Sequence, residues 1–303
     1  MNNRLSELLA KKTLLIVDGA MGTMLQSAGL GVGECPELWN INRPDSIRQI
    51  HEAYLNAGAD VILTNTFGGS PKKLSMFGLA HRAVAINRAG AQLAAQARES
   101  CGRYKAALIF GSVGPTGELL EPLGTATLEA MIEQFAVQIE ALVEGGVDAI
   151  MVETMISPEE AIAAASAGKT VQESLPIVIN LTYEPTPRGP RTMMGTSPER
   201  FIQMLSEQGV NVDGVGTNCG TGADDMVSVV SALRGCTDLP IVAYPNAGMP
   251  RMQDGMAVYD ESPEAFSEKT AKLADAGATM IGGCCGTTPE HIQHLCRRLA
   301  NVR

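Results

Sequence analysis

The sequence predicts a (β/α)8 TIM barrel, class α/β, in a single domain, and three observations predict it. Eight short runs rich in Val, Ile and Leu recur along the chain. Amphipathic helical stretches separate these runs, so a parallel sheet covered on both faces is expected. The 303 residues also suffice for eight strand–helix units, which take about 250 residues before insertions. A doubly wound open sheet is the alternative.

A helix over residues 1–12 is expected to precede the first strand, because leucines recur there at helical spacing. Each later helix is expected to end at a glycine, in a repeated Ala-Gly-Ala-Asp-like tag that leads into the next strand. Four helices are clearest, at 45–57, 127–144, 197–208 and 262–276. The strands are predicted at 13–19, 60–66, 106–114, 147–154, 175–182, 212–219, 239–246 and 278–285, and no linker divides the domain 1–303.

Composition excludes several classes of protein. The net charge is −10 and no stripe of Lys or Arg is present, so a nucleic-acid partner is not expected. Seven cysteines in so long a chain do not indicate a disulfide framework. No apolar run approaches the roughly 18 residues of a membrane helix. We therefore expect a cytoplasmic protein without membrane contact.

Three cysteines lie at predicted strand ends, which form the active-site face of a barrel. Cys219 ends strand six, and Cys284 and Cys285 end strand eight. A catalytic zinc ion typically has three protein ligands and one open position, which this set would match. The alternative is that they are buried, inert thiols, as we expect for Cys35, Cys101, Cys236 and Cys296.

A metal ion bound by three thiolates is electron-rich, so it is better suited to binding a substrate thiol than to activating water. No lysine or histidine ends a predicted strand, which disfavours Schiff-base and histidine-based catalysis. Asp18 and Glu153, at the ends of strands one and four, could bind an ammonium group, and the Ala20–Met21 turn could bind a carboxylate. Thr66, at the end of strand two, is a further substrate-binding candidate. A turn cap for Asp18 and a structural ion pair for Glu153 are the alternatives.

Two other interpretations are weaker. The glycines near residues 19–33 lack the full spacing of a dinucleotide-binding motif. A phosphate site is conceivable where Gly282 and Gly283 precede a helix start at Thr287, but it would give the adjacent cysteines no role.

Taken together, the strand-end motifs resemble the homocysteine S-methyltransferase family. The resemblance covers the chain from about residue 13 to the last helix, and the two cysteine elements are its most specific part. The motifs are Asp18-Gly-Ala-Met-Gly-Thr23, Asn65-Thr-Phe-Gly68, Gly111-Ser-Val-Gly-Pro115, Glu153-Thr154, Asn218-Cys-Gly220, Tyr244-Pro-Asn-Ala-Gly248 and Gly282-Gly-Cys-Cys-Gly-Thr-Thr-Pro289.

The resemblance implies a zinc-dependent barrel that methylates homocysteine to methionine. It implies that the three strand-end cysteines bind zinc, that Asp18, Glu153 and the Ala20–Met21 turn bind the amino-acid end of homocysteine, and that Asn246 is a labile fourth zinc ligand. Gly286 and the segment 244–248 are most similar to the homocysteine-binding module of cobalamin-dependent methionine synthase.

The methyl donor is left open by the sequence. Similarity to the cobalamin-dependent enzyme implies methylcobalamin or another methylcorrinoid, carried on a separate protein because no corrinoid-binding module follows the barrel. We therefore expect a stand-alone or excised module. S-methylmethionine and betaine are the alternative donors, and a barrel that binds a thiol or a corrinoid protein without catalysis is the alternative function.

Overall fold

Eight parallel strands form one sheet in the computed structural model, which describes residues 4–103, 106–253 and 256–302. In chain order the strands are β1 (Leu15–Ile16), β2 (Val61–Leu63), β3 (Leu108–Val113), β4 (Ala149–Met155), β5 (Ile177–Leu181), β6 (Tyr183–Glu184), β7 (Arg191–Thr192), β8 (Gly214–Asn218), β9 (Ile241–Tyr244), β10 (Arg251–Gln253), β11 (Met256–Val258) and β12 (Met280–Ile281). The sheet order is β1-β12-β9-β8-β5-β4-β3-β2, and a parallel bridge between Val17 and Val61 joins its two ends. The predicted TIM barrel is confirmed, and the open-sheet alternative is wrong.

Apart from the first helix, which precedes the first strand, the helices lie in the connections between strands or after the last one. They are α1 (Arg4–Lys11), α2 (Met21–Ser27), α3 (Trp39–Asn42), α4 (Pro44–Ala57), α5 (Pro71–Ser75), α6 (Ala83–Ser100), α7 (Leu128–Gly145), α8 (Pro158–Val171), α9 (Pro198–Glu207), α10 (Ala223–Arg234), α11 (Pro263–Asp275) and α12 (Pro289–Arg298). Ser or Thr side chains cap several helix N-termini; Thr127 and Ser262, for example, accept the amides of Ala130 and Ala265. In the described part of the chain, no helix combines the length and apolar character needed to cross a membrane.

The repeated glycine-containing tag comes just before barrel strands β2, β4, β8 and β12, between the end of a helix and the start of the strand. Glycines with positive φ end the preceding helices, as predicted, at Gly58 (φ 108°) and Gly146 (φ 94°). The aspartate that follows has a second role, because its carboxylate accepts an amide of the neighbouring strand: Asp60 that of Ile16 at 3.0 Å and Asp148 that of Ile109 at 2.8 Å. Each tag therefore fixes the register between two strands at the amino-terminal end of the barrel.

Helix α1 closes that same end. Leu5 and Leu8 are buried among the side chains that fill the barrel, including Leu108 and Met280. Arg4 forms an ion pair with Asp148 at 2.5 Å. The opposite, carboxyl end of the strands stays open, which is where barrel enzymes carry their active sites.

Two antiparallel hairpins lie outside the barrel and were not predicted from the sequence. β6 and β7 follow barrel strand β5, and β10 and β11 follow β9. Both connect a strand's carboxyl end to the next helix, so both lie at the open end of the barrel. The second hairpin contributes side chains to the site described next.

Candidate functional site

A cavity of about 550 Å³ lies at the carboxyl ends of the strands. Its wall includes Asp18, Glu153, Cys219, Cys284 and Cys285, which the sequence predicted to converge. As far as the described residues go, no Lys, Arg or His side chain lines it. The cavity therefore combines thiols and carboxyls without a compensating cation.

The three predicted cysteines lie together. The Sγ atoms of Cys219, Cys284 and Cys285 are all within 4.8 Å of one another. None forms a disulfide, and each is half-buried. Hydrogen bonds from Cys219 and Cys284 lower the pKa of Cys285, whereas the hydrogen bond with Cys219 raises the pKa of Cys284. One thiolate is thus stabilised by its two neighbours even before a cation is considered.

The backbone at Cys219 is held in an unusual conformation. Its φ is +59°, in the left-handed region that costs a non-glycine residue roughly 1–2 kcal/mol. Two contacts maintain it: its amide donates to the Tyr244 carbonyl at 3.3 Å, and its carbonyl accepts the Thr221 amide at 2.8 Å. Such strain persists only where the surrounding structure enforces it, as at a functional site.

Asn218, the residue before Cys219, forms two hydrogen bonds with Thr154, the residue after Glu153. Its Oδ1 accepts the Thr154 amide, and its Nδ2 donates to Thr154 Oγ1, both at 2.8 Å. The same Nδ2 lies 3.8 Å from Cys284 Sγ, within the range of a hydrogen bond to sulfur. The sequence motif contained Asn218, but its bridging role depends on the approach of β4 to β8, which no local pattern reveals.

The loop with the cysteine pair turns sharply after β12. The Cys284 amide donates to the Pro245 carbonyl at 2.7 Å, and the Cys285 carbonyl accepts the Ala247 amide at 2.9 Å. Gly286 then has φ +83°, and a Cβ there would lie 2.3 Å from the Cβ of Tyr259. Only glycine fits both requirements, which explains why a glycine follows the pair.

Tyr259 is a site residue that the sequence analysis missed. It lies just after β11 and lines the cavity beside Cys285, with which its hydroxyl forms a hydrogen bond. Burial raises the pKa of Tyr259, and the negative charge of the neighbouring Cys285 adds a smaller effect in the same direction. Its hydroxyl therefore stays protonated and donates to the sulfur. The absence of a side chain at Gly286 is the one sequence signal that could have suggested this contact.

The two predicted acidic residues are both buried in the cavity wall. Burial raises the pKa of Asp18 well above its usual range, although the Leu63 amide, which donates to its carboxylate at 2.9 Å, acts against this. Burial raises the pKa of Glu153 to about 7, and hydrogen bonds from Ser112 and Tyr244 oppose the shift. Because no cation faces either group within the described cavity wall, a ligand with a positive group would be stabilised there.

The predicted turn at Ala20–Met21 is instead the start of α2, with Ala20 as its N-cap. The Ala20 amide donates to Thr287 Oγ1 at 3.0 Å, and Thr287 Oγ1 donates in turn to the Cys284 carbonyl at 2.7 Å. The Ala20 amide is therefore engaged, and Met21, the first helical residue, is the better candidate for contacting a carboxylate. Both residues line the cavity, and their contact with substrate stays a prediction.

Thr66 and Asn246 are less directly placed. Thr66 lines the cavity, but its hydroxyl already donates to the Ser112 carbonyl at 2.8 Å. Asn246 is buried and lies outside the described cavity wall; among the described residues its Oδ1 has no hydrogen-bond partner. That oxygen is thus available, and the role of Asn246 as a labile metal ligand stays a prediction.

A phosphate site at the start of α12 is disfavoured. Thr288 accepts from the His291 backbone, and the His291 side chain accepts the Thr288 amide, so the helix terminus is capped by its own residues. The four other cysteines lie in loops or helices, as predicted, and none belongs to a metal-ligand cluster within the described part of the chain: Cys35, Cys101, Cys236 and Cys296. The expectation that all four are buried is wrong, because only Cys35 is buried and the other three are partly exposed.

The three thiols fit a zinc ion. Tetrahedral zinc with Zn–S bonds of about 2.3 Å places its sulfur ligands roughly 3.8 Å apart. The sulfur separations here are all within 4.8 Å, at most about 1 Å more than that spacing. Soft thiolates also select zinc over magnesium or calcium.

Comparisons with known proteins agree with this geometry. The family model for homocysteine S-methyltransferase matches residues 15–299. A methionine synthase of Mycobacterium tuberculosis is 32% identical over 306 residues, covering 96% of this chain and 25% of that protein, so the chain spans about a quarter of that relative. Crystal structures of the homocysteine methyltransferase MmuM from Escherichia coli are similar over 98% of this chain and 100% of theirs, with a TM-score of 0.81 and 28% identity for the metallated form and 0.81 and 27% for the oxidised form.

Proposed function

The chain belongs to the homocysteine S-methyltransferase family, and from that premise we propose a zinc-dependent enzyme that methylates homocysteine to methionine. The methyl group comes from a methylcorrinoid carried on a separate protein or module. We propose a cytoplasmic location, since the thiols must stay reduced to bind metal.

One observation supports the proposal above all others: three thiols share one cavity with several buried carboxyls, among them Asp18 and Glu153, and no described Lys, Arg or His lines it. The thiols would bind Zn²⁺, and the carboxyls Asp18 and Glu153 would bind the ammonium group of an amino acid. A substrate that satisfies both sets has a thiol at one end and an ammonium at the other. Homocysteine has this structure.

Cys219, Cys284 and Cys285 would hold the zinc ion. When bound, zinc would lower the pKa of the substrate thiol, so that sulfur is present as the thiolate that methyl transfer requires. The hydrogen bonds from Asn218 to Cys284 and from Tyr259 to Cys285 withdraw charge from the protein's own sulfurs. This would make the substrate sulfur the more nucleophilic one.

The rest of the cavity would orient the amino acid. Glu153 and Asp18 would pair with its ammonium, and Met21 at the start of α2 would bind its carboxylate. Phe67 and Val258 contribute apolar surface to the cavity wall, which limits the access of water to the sulfur.

The exposed surface at the barrel opening supports a large methyl donor. Four apolar side chains in the connections that follow β3, β7 and β9, one of them in hairpin strand β10, are mostly exposed: Leu123 (67%), Met193 (70%), Met249 (64%) and Met252 (72%). Exposed apolar side chains are typical of protein contact sites, and methionine adapts to many partners. The similarity to methionine synthase supports a corrinoid protein as that partner.

A donor panel tests the proposal. The zinc-loaded chain is incubated with homocysteine and either methylcobalamin, S-methylmethionine or betaine, and methionine is measured by mass spectrometry. We expect methionine from methylcobalamin, loss of product in Cys219→Ser, and unchanged product in the matched control Cys236→Ser. Product only from S-methylmethionine or betaine would contradict the corrinoid donor, and no product from any donor would favour a barrel that binds without catalysis.

A further inference from the structure

Glu153 is held by a chain of hydrogen bonds that reaches below the cavity. The Tyr244 hydroxyl lies 3.0 Å from Glu153 Oε2, and Ser112 Oγ donates to Glu153 Oε1. Behind Tyr244, outside the cavity wall, Asn180 Nδ2 donates to the Tyr244 hydroxyl at 2.9 Å. All four side chains are at least nine-tenths buried.

This series of hydrogen bonds runs in one direction, from Asn180 through Tyr244 to Glu153. An amide nitrogen can only donate, so Asn180 occupies an acceptor position of the Tyr244 oxygen. The single hydroxyl hydrogen of Tyr244 is then left for Glu153. Gly216 provides the space for this arrangement, because a Cβ there would lie 2.4 Å from Asn180 Oδ1.

Both oxygens of Glu153 therefore accept a hydrogen bond from the protein, one from Tyr244 and one from Ser112. These two bonds fix the plane of the carboxylate and leave its remaining lone pairs for the cavity that Glu153 lines. A carboxylate fixed in this way binds a cation without the cost of ordering its own side chain.

We propose that Tyr244, oriented by Asn180, positions Glu153 and thereby makes the site selective for thiols that carry an ammonium group. The inference rests on the proposed function, since it assumes that homocysteine occupies the cavity. Tyr244 is a positioning residue, because it acts on the substrate through Glu153. The oriented carboxylate of Glu153 would then be the feature of the site that distinguishes an amino-acid thiol from a simple alkyl thiol.

Two ligands separate this role from a structural one. L-Homocysteine and 4-mercaptobutanoate share the thiol, the chain length and the carboxylate, and only homocysteine has the ammonium group. The affinities of both for the zinc-loaded full chain are measured by titration calorimetry. The variants are Tyr244→Phe and Ser112→Ala, which each remove one donor to Glu153. Tyr183→Phe is the matched control, because its hydroxyl is also buried but lies outside the described cavity wall.

For Tyr244→Phe and Ser112→Ala we expect homocysteine to bind roughly ten- to a hundred-fold more weakly, the effect of losing a hydrogen bond to a charged group. The affinity for 4-mercaptobutanoate and the zinc content should stay within two-fold, and Tyr183→Phe should change neither ligand. Equal weakening of both ligands, or an unchanged preference for homocysteine, would overturn the inference. A wild-type protein that binds neither thiol would instead overturn the proposed function.

Discussion

Acidification should weaken homocysteine binding, because burial raises the pKa of Glu153 to about 7. The perturbation is a pH change from about 8 to about 6. The ammonium group of homocysteine stays charged throughout, but it can pair only with the ionised carboxylate. Since the carboxyl takes up a proton as the pH falls through 7, affinity is highest above this pKa and decreases below it.

The size of the effect follows from the ionised fraction. With a pKa of about 7, roughly ten-elevenths of Glu153 is ionised at pH 8 and roughly one-eleventh at pH 6. The affinity should therefore fall about ten-fold, or about 1.4 kcal/mol. Burial also raises the pKa of Asp18, so acidification favours protonation of this carboxyl as well. Ten-fold is therefore the lower limit of the expected loss of affinity.

The assay must separate this proton from the one that the substrate thiol loses on binding metal. Titration calorimetry with 4-mercaptobutanoate supplies the reference, because this ligand loses the same thiol proton and has no ammonium group. The prediction is an additional ten-fold loss for homocysteine relative to this reference. Glu153→Gln, which cannot ionise, should remove the part of that loss that comes from Glu153 and leave only the contribution of Asp18. Identical pH profiles for the two ligands in the wild-type protein would refute the reasoning.

Three further results are expected. Cys219→Ser should reduce zinc affinity, measured by chelator competition, more than about a hundred-fold, because even the loss of an outer hydrogen bond to a ligand costs 10- to 100-fold; retained affinity would exclude this residue as a ligand. Removal of zinc in air should oxidise Cys284 or Cys285 and lower the free-thiol count, and an unchanged count would contradict this. Asp148→Ala should lower the free energy of unfolding by about 3–5 kcal/mol, because it removes the buried carboxylate that forms an ion pair with the buried Arg98. Asp213→Ala removes a more exposed carboxylate and should cost less; equal losses in urea denaturation would contradict the difference.

The barrel and its cluster of three cysteines were predictable because both are properties of single chain segments. Each strand is an apolar run with a helix after it, and each cysteine stands at the end of such a run. Closure of the sheet then brings Cys219 and Cys284 together without any further information. The convergence of Asp18 and Glu153 on the same cavity follows in the same way.

The supporting residues could not be predicted, since their roles arise between segments. Tyr259 reaches Cys285 only because a hairpin folds back over Gly286. Asn180 meets Tyr244 inside the barrel, and although Tyr244 belongs to a sequence motif, Asn180 has the pattern of an ordinary strand residue and nothing in the sequence pairs the two. The amide of Ala20 offers a further example, because its engagement by Thr287 depends on the approach of the first and last strand–helix units.

X-ray absorption at the zinc edge tests the central claim most directly, because it counts the sulfur atoms bound to the metal. For the zinc-loaded chain we predict three sulfur neighbours at about 2.3 Å, the distance typical of zinc thiolates. Addition of homocysteine should raise the count to four, with one lighter ligand lost. A count below three in the resting protein, or one that homocysteine leaves unchanged, would contradict the proposal that three cysteines hold a zinc ion that binds the substrate thiol.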